Sequence, residues 1–234
     1  MLTPFGNPQN LYLYSYFQIE TGAFLRVMTP PFLAAIALLA LATLFVKNEK
    51  LVINDDYHEH LNRPRTLVYL ALFALSLLIV FRIIPYLVGL ILITVALFFS
   101  DRESIRMVDY PLLFTFAFFF VFSGNLARIP TVHAFFSDLL AKDTFTVSAL
   151  SCQVISNVPS AVLLSRFTEN WQELLVGVNI GGTGTLIASL ASLITFSEFR
   201  ILYPGHTKQY LTLFFVVNAL FLLLLTLFAK VFLF

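Results

Sequence analysis

Residues 151–192 have the sequence SCQVISNVPSAVLLSRFTENWQELLVGVNIGGTGTLIASLAS, which interrupts helix twice within an apolar part of the chain. The first interruption is the tip NVP at residues 157–159, where proline removes a backbone donor. The second is a glycine cluster at residues 181–184, which makes helix costly. In hydrocarbon, freed backbone groups persist only if they are buried in protein or line a wet cavity. Two interruptions this close together therefore predict a built site.

The composition is that of a membrane protein. The chain has 234 residues, of which 59% are hydrophobic and 12% charged, and its mean hydropathy is +0.88. Soluble domains carry about 25% charged residues. The net charge of +1 gives no argument for a nucleic-acid partner, and the single cysteine, Cys152, excludes an intrachain disulfide and Cys-x-x-Cys metal sites. We predict an all-α polytopic membrane protein embedded in the lipid bilayer.

The first part of the chain is predicted to be the end of one structural repeat. Residues 1–46 would contain a half-helix, an interfacial segment at 18–29 and one span at 30–46. Pro30 and Pro31 suit the first turn of that span, where a missing N–H costs nothing.

The rest of the chain is predicted to be a loop and a second repeat. Residues 47–65 would form a polar cytoplasmic loop, which puts eight Lys and Arg residues inside and five outside. Residues 66–234 would form the second repeat. This repeat would hold a re-entrant hairpin at about 144–168, a broken helix at about 171–199 and a final span at 209–234, because neither arm of the hairpin reaches the length of a span.

An internal similarity relates the two repeats. An offset of 182 residues aligns MLTPFGNPQNLYLYSYF at residues 1–17 with TGTLIASLASLITFSEF at residues 183–199. Thr3 then meets Thr185, and Asn7 meets Ser189. The second copy has a hairpin tip 28 residues before its threonine, at Asn157. We therefore expect the chain to begin inside the first repeat, so that it needs a missing N-terminal half or a partner subunit.

Three motifs resemble the ion-transporter superfamily: GNPQN at residues 6–10, QVISNVPSAVLL at 153–164 and GVNIGGTGTLIASLASLI at 177–194. The resemblance is nearest to bacterial anion permeases with a citrate-transporter-like domain, near the arsenite-permease branch. It implies a multi-pass protein of the bacterial cytoplasmic (inner) membrane. It also implies an inverted-repeat secondary carrier in which hairpin tips and helix breaks meet near the midplane.

The hairpin tip departs from one branch of that superfamily. In the dicarboxylate branch the tip has the sequence Ser-Asn-Thr, whereas here Ser156 and Asn157 are followed by Val158, which has no hydroxyl. This difference weakens the case for dicarboxylate-type recognition at this tip. Ser156 and Asn157 still offer a hydroxyl and an amide to an oxyanion or a dehydrated cation. The alternative is that they only cap the hairpin helices.

The other candidate binding residues lie at the glycine cluster and near the N-terminus. A broken helix frees carbonyl groups that suit Na⁺ and N–H groups that suit an anion. The alternative is close packing of small residues between helices. The second-repeat candidates are Asn179, Gly181, Gly182, Thr183, Gly184 and Thr185. Their first-repeat counterparts are Thr3, Gly6, Asn7 and Asn10, for which a disordered tail is the alternative. Na⁺ is the one candidate cofactor, with Ser156, Asn157 and Gly182 as its ligands, and we predict no other metal.

The sequence supports three hypotheses of function. The first is a secondary carrier for a small anion, working by alternating access and coupled to Na⁺ or to the membrane potential. No Asp or Glu lies inside a clear apolar span, as a proton relay would require, so either coupling does not use protons or the carboxylate belongs to the missing N-terminal part. The second is a transport-incompetent partial chain or subunit, and the third is an arsenite or antimonite efflux permease. No nucleophile–base constellation predicts an enzyme, and a homodimer is a further expectation.

Overall fold

The computed structural model describes residues 1–48 and 62–234, and the residues described are helical, with no strand among them. Three of the helices found there are long and apolar enough to cross a membrane: Thr21–Thr43, Arg63–Val80 and Pro204–Phe232. A fourth span results if Tyr110–Leu126 and Pro130–Lys142, which meet at 97°, are counted as one. The chain is therefore an all-α polytopic membrane protein, as predicted. Most of the predicted loop at 47–65 lies outside the described residues.

Twelve α-helices are described in these two ranges, and they are numbered in chain order. They are α1 (Pro8–Tyr16), α2 (Thr21–Thr43), α3 (Arg63–Val80), α4 (Tyr86–Ser100), α5 (Arg102–Arg106), α6 (Tyr110–Leu126), α7 (Pro130–Lys142), α8 (Thr144–Ile155), α9 (Asn157–Leu164), α10 (Trp171–Ile180), α11 (Leu190–Leu202) and α12 (Thr207–Phe232). Short 3₁₀ turns precede α11 and α12, at Leu186–Ala188 and Pro204–His206. The chain divides into two compact units, one of Met1–Ala40 with Pro111–Phe234 and one of Leu41–Tyr110.

The predicted start of the first span is wrong. Pro30 and Pro31 do not open a helix at residue 30 but lie inside α2, which begins nine residues earlier. The preceding turns already bury side chains, since Phe24 and Met28 are fully buried. Packing of these side chains continues the helix upstream of the prolines, whose missing N–H groups membrane helices tolerate.

The core of the first unit is built from short helices rather than from the long spans. α8 packs closely along α10, and α9 packs against both α8 and α1. A Cβ at Gly177 would lie 2.7 Å from the carbonyl oxygen of Phe145, and one at Gly181 would lie 2.8 Å from the backbone of Ala149. Two glycines four residues apart thus let the two helix backbones touch. In a membrane, this kind of van der Waals packing is a main source of helix association.

Two carboxylates fix the N-terminal end of α8. Asp143 Oδ1 accepts a hydrogen bond from the Thr146 N–H at 2.8 Å, and Glu173 Oε2 accepts one from the Phe145 N–H at 3.0 Å. The second oxygen of Asp143 pairs with Lys230 Nζ of α12 at 2.6 Å. Negative charge at a helix N-terminus is favourable because it satisfies otherwise unpaired N–H groups. The base of the hairpin is therefore anchored to both α10 and α12.

The second unit contains a polar cluster around Asp101, between α4 and α5. The carboxylate of Asp101 accepts hydrogen bonds from the Tyr69 hydroxyl, from Arg65 at 2.5 Å and from Ser104 at 2.8 Å. The hydrogen bond from Tyr69, followed by that from Arg65, holds the pKa of Asp101 well below its usual range. The cluster joins the start of α3 to the junction of α4 and α5.

Candidate functional site

The chain reverses direction between α8 and α9 at a single residue, Ser156. Ser156 has φ of +73° and ψ of 157°, a conformation that is strained for any residue except glycine. Its hydroxyl donates to the Ala188 carbonyl at 3.4 Å. The next residue, Asn157, begins α9 with 7% of its surface exposed, and its side-chain oxygen accepts from the Val158 N–H at 2.8 Å. The tip is thus a sharp corner whose polar groups meet the break after α10.

The break between α10 and α11 is much longer. α10 ends at Ile180 and α11 begins at Leu190, so residues 181–189 leave the α-helix. Gly184 has φ of +109°, which glycine adopts without a steric cost. Ser189 caps the start of α11, where its hydroxyl accepts from the Ala191 N–H at 3.3 Å. This segment is a discontinuous helix of the kind that transporters use to build binding sites.

One side chain of α8 holds this break together. Gln153 Nε2 donates to the carbonyl oxygens of Ala149, Gly181 and Thr183 at 3.0, 2.7 and 3.0 Å. Its Oε1 accepts from the Thr185 N–H at 2.9 Å, and its backbone carbonyl accepts from the Thr185 hydroxyl at 3.1 Å. The unwound backbone groups therefore find partners in a neighbouring helix rather than in lipid.

The N-terminal segment joins the site through a bridge of three amides. Asn7 caps α1, because its Oδ1 accepts from the Asn10 N–H at 2.8 Å. Asn7 Nδ2 donates to Asn179 Oδ1 at 3.2 Å, and Asn179 Nδ2 donates to Asn10 Oδ1 at 2.6 Å. The start of α1 is thereby fixed to the end of α10. α1 and α11 begin 182 residues apart, with Asn7 and Ser189 as their caps, which agrees with the offset of the internal similarity.

These elements surround a cavity of about 600 Å³. Its wall includes residues 7–9 at the start of α1, 157–159 at the start of α9 and 189–191 at the start of α11. Leu112 and Phe116 of α6 add an apolar side. Pockets of several hundred Å³ with a few convergent polar groups are typical of small-molecule sites.

Half of the predicted site residues line this cavity. They are Asn7, Ser156, Asn157, Asn179, Gly182 and Thr183. The other six lie close in the chain to lining residues but are not part of the wall: Thr3, Gly6, Asn10, Gly181, Gly184 and Thr185. Gly181 packs against α8, which agrees with the close-packing alternative for that residue. Thr3 and Gly6 form a turn in which the Gly6 N–H donates to the Thr3 carbonyl at 3.1 Å.

Sequence reasoning missed three polar residues of this region. Gln9 and Ser189 line the cavity, and Gln153 holds the break. Gln9 lies inside the GNPQN motif, and Ser189 is the counterpart of Asn7 in the internal similarity. Gln153 also had a signal, since it is an amide in an otherwise apolar arm. Which backbone groups it would contact could not be read from the sequence.

The electrostatics of the cavity come from helix ends, since the side chains that the structure places along its wall are uncharged. Three helix N-termini reach it, those of α1, α9 and α11. Each carries the equivalent of about half a positive elementary charge, because first-turn N–H groups have no acceptor within their own helix. The C-terminal ends of α8 and α10 also border the cavity. Hydrogen bonds from Gln153 and Ser156 already occupy carbonyls there.

Discontinuous helices around a cavity are an arrangement that membrane transporters use for their binding sites. Residues 1–171 match the Citrate transporter family. The chain is 36% identical over 233 residues, 99% of its length, to an uncharacterized transporter (MJ0456) of Methanocaldococcus jannaschii. It is 30% identical over 201 residues, 83% of its length, to the inner membrane protein YbiR of Escherichia coli. It spans 63% and 53% of the lengths of these two relatives.

The chain belongs to the Citrate transporter family. No solved structure matches it significantly. Of the three motifs that carried the resemblance, those at residues 6–10 and 153–164 lie within the matched residues, and the one at residues 177–194 lies beyond them.

Proposed function

We propose that this chain forms the binding site of a secondary carrier that moves a small anion across a cytoplasmic (inner) membrane. The observation that carries the proposal is the meeting of three helix N-termini at one cavity. Helix N-termini bind anions through their free N–H groups and their positive end charge. The name of the matched family makes citrate the first anion to test.

Alternating access fits the way the cavity is assembled. Its wall combines α1, the hairpin tip and the break before α11, which are joined by side-chain hydrogen bonds such as the amide bridge of Asn7, Asn10 and Asn179. Hydrogen bonds between amides can exchange partners while the helices stay intact. Rocking of one helix group against another would then open the same site to either side of the membrane. Na⁺ coupling and a homodimer stay predictions.

Uptake into proteoliposomes tests the proposal, with the protein purified as its native source produces it. Citrate should accumulate in response to a Na⁺ gradient or a membrane potential. The double substitution Ser156→Ala with Asn157→Ala should lower the initial rate at least about tenfold, the effect of losing about 1.4 kcal/mol of interaction. The matched control is Asn218→Ala, because the hydrogen bond that the described structure shows for the Asn218 side chain lies within α12, to the Phe214 carbonyl at 2.9 Å. Parental rates in the double variant would overturn the site assignment.

The uncharged side chains along the cavity wall favour a second candidate, a neutral oxyacid such as arsenous acid. Hydroxyl groups on such a solute could bond to the amides of Asn7, Asn157 and Asn179 without any charge to balance. Asn157→Asp separates the two candidates in the same assay. The new carboxylate would repel an anion and abolish its uptake, whereas uptake of a neutral oxyacid would persist.

A further inference from the structure

The amide of Gln153 lies at the position where a broken helix ordinarily presents its carbonyl oxygens to a cation. Three acceptors surround Nε2: the carbonyl of Ala149, within the helix of Gln153 itself, and those of Gly181 and Thr183 in the break. All three distances are 3.0 Å or less. The amide nitrogen carries two hydrogens and has three acceptors, so both hydrogens are bonded and one of them is shared between two carbonyl oxygens.

The orientation of this amide is determined by its neighbours. Carbonyl oxygens only accept hydrogen bonds, so the atom that faces Gly181 and Thr183 must be the nitrogen. On the other side, the Thr185 N–H only donates, so the atom 2.9 Å away from it must be the oxygen. A flipped amide would break contacts on both sides at once.

The geometry points to Gln153 as a built-in substitute for a cation at the helix break. It satisfies the carbonyl groups of Gly181 and Thr183 with N–H donors, so this part of the break needs no bound Na⁺. The negative end of α10 is thereby neutralised from within the protein. The positive N-terminal ends of α1, α9 and α11 then remain at the cavity. This inference deepens the proposed function, since it makes Gln153 a positioning residue that favours an anion as the substrate.

Gln153→Glu tests the inference through stability, in the absence of any transported substrate. A carboxylate in this position would face the Gly181 and Thr183 carbonyls with lone pairs instead of donors. It would therefore need either a proton or a cation with oxygen ligands. Thermal unfolding in detergent at pH 8, with choline chloride as the salt, should show a Tm about 5–10 °C below that of the parent. NaCl at the same ionic strength, or a pH of 5, should restore most of that loss.

Two further variants make the result decisive. Gln172→Glu is the matched control, because Gln172 is exposed at the start of α10 and a carboxylate there should respond to Na⁺ and acid as the parent does. Gln153→Lys places a fixed ammonium with three donors on the same carbonyls but leaves the Thr185 N–H without its acceptor, so the variant should fold with a Tm below that of the parent that does not respond to Na⁺. The absence of any extra response to Na⁺ or acid in Gln153→Glu, relative to Gln172→Glu, would overturn the inference.

If Gln153→Glu does not accumulate in the membrane, Gln153→Lys decides the question alone. A folded Gln153→Lys protein supports a cation-like role, and an unfolded one contradicts it. Because these measurements need no substrate, they can fail while citrate uptake succeeds, or succeed while citrate uptake fails. The inference and the proposed function are therefore tested separately.

Discussion

The two interruptions of helix in this protein are stabilised in different ways. The hairpin tip is one residue long, and its energetic cost is the strained, positive φ angle of Ser156. The break between α10 and α11 covers residues 181–189, and its backbone groups are satisfied by a side chain from α8, Gln153. A short interruption stores strain in one dihedral angle, whereas a long one needs partners for several freed polar groups. Both solutions place a helix N-terminus at the same cavity.

Because Gln153 satisfies the backbone groups of the long break, that break should depend on the space around the Gln153 side chain. Gly184→Ala should have the largest effect on stability, because the new Cβ would lie 2.3 Å from Gln153 Oε1 and 3.1 Å from Leu222 Cδ2. The φ of +109° adds backbone strain for alanine. Displacement of the amide would also free the carbonyls that it satisfies, so we expect a loss of about 3 kcal/mol or more. Thermal unfolding of the purified protein in detergent measures it.

Gly205→Ala is the matched control for this substitution. A Cβ at Gly205 meets no atom within 4 Å, and the residue is exposed in the turn before α12. Its Tm should stay within about 2 °C of the parent. Equal effects of the two substitutions would contradict the role given to Gln153 in the break.

The hairpin tip should respond in the opposite direction. Ser156→Gly removes the strain of a positive φ, worth about 1–3 kcal/mol, and adds the entropy cost of glycine, about 0.5–1 kcal/mol. The hydroxyl that it deletes makes only a 3.4 Å contact with the Ala188 carbonyl. We expect a net gain of about 1 kcal/mol, seen as a rise in Tm of about 2–4 °C. Ser156→Ala keeps the strain and deletes the same hydroxyl, so a rise in that variant as well would show that strain is not the cause.

The smallest expected effect is at the base of the hairpin, far from either interruption along the chain. Partial burial raises the pKa of Asp143, but hydrogen bonds from Lys230 and Thr146 outweigh it, so the pKa is below the ordinary value of 3.8. A lowered pKa contributes stability above pH 3.8 that is lost as the pH falls through the native pKa. Because the pair is partly exposed, this contribution is about 0.5 kcal/mol.

Asp143→Asn isolates that charge, since asparagine caps a helix nearly as well as aspartate. The variant should unfold about 1–2 °C below the parent at pH 7, and the difference should shrink as the pH falls below 3.8. Asp138→Asn in α7 is the control, because Asp138 is an exposed carboxylate and should leave the pH profile unchanged. A difference that is constant from pH 7 to pH 3 would count against the ion pair.

The sequence predicted both interruptions to within a residue, because a proline and clustered glycines lie beside them; the predicted tip at residues 157–159 is the first turn of α9, and the chain leaves the helix only at Ser156. Ser156 and Asn157 lie at the junction of α8 and α9. The glycine cluster follows the end of α10. The capping role of Asn7 was not predicted, although an amide directly before a proline favours a helix start. These are local signals, and local signals can be read from a single chain.

The contacts between distant segments could not be predicted in the same way. The hydrogen bonds of Gln153 to the break depend on α8 packing against α10 at the distance that Gly177 and Gly181 allow. The position of Pro30 and Pro31 inside α2 likewise depends on burial of the preceding turn. Tertiary packing overrides the local preference in both cases.

The amide bridge between Asn7 and Asn179 has a consequence for biogenesis. The two residues are 172 positions apart, so the start of α1 must wait in the membrane until α10 has been synthesised and inserted. The hairpin of α8 and α9, in contrast, joins neighbours in the chain and can form as soon as it leaves the ribosome and the translocon. Non-local contacts of this kind form late because the entropy of loop closure is lost before the contact contributes any favourable free energy. Assembly of the cavity is therefore a late step of folding, whereas the hydrogen bonds of Asn7 and Asn10 to their own neighbours in the chain can form early.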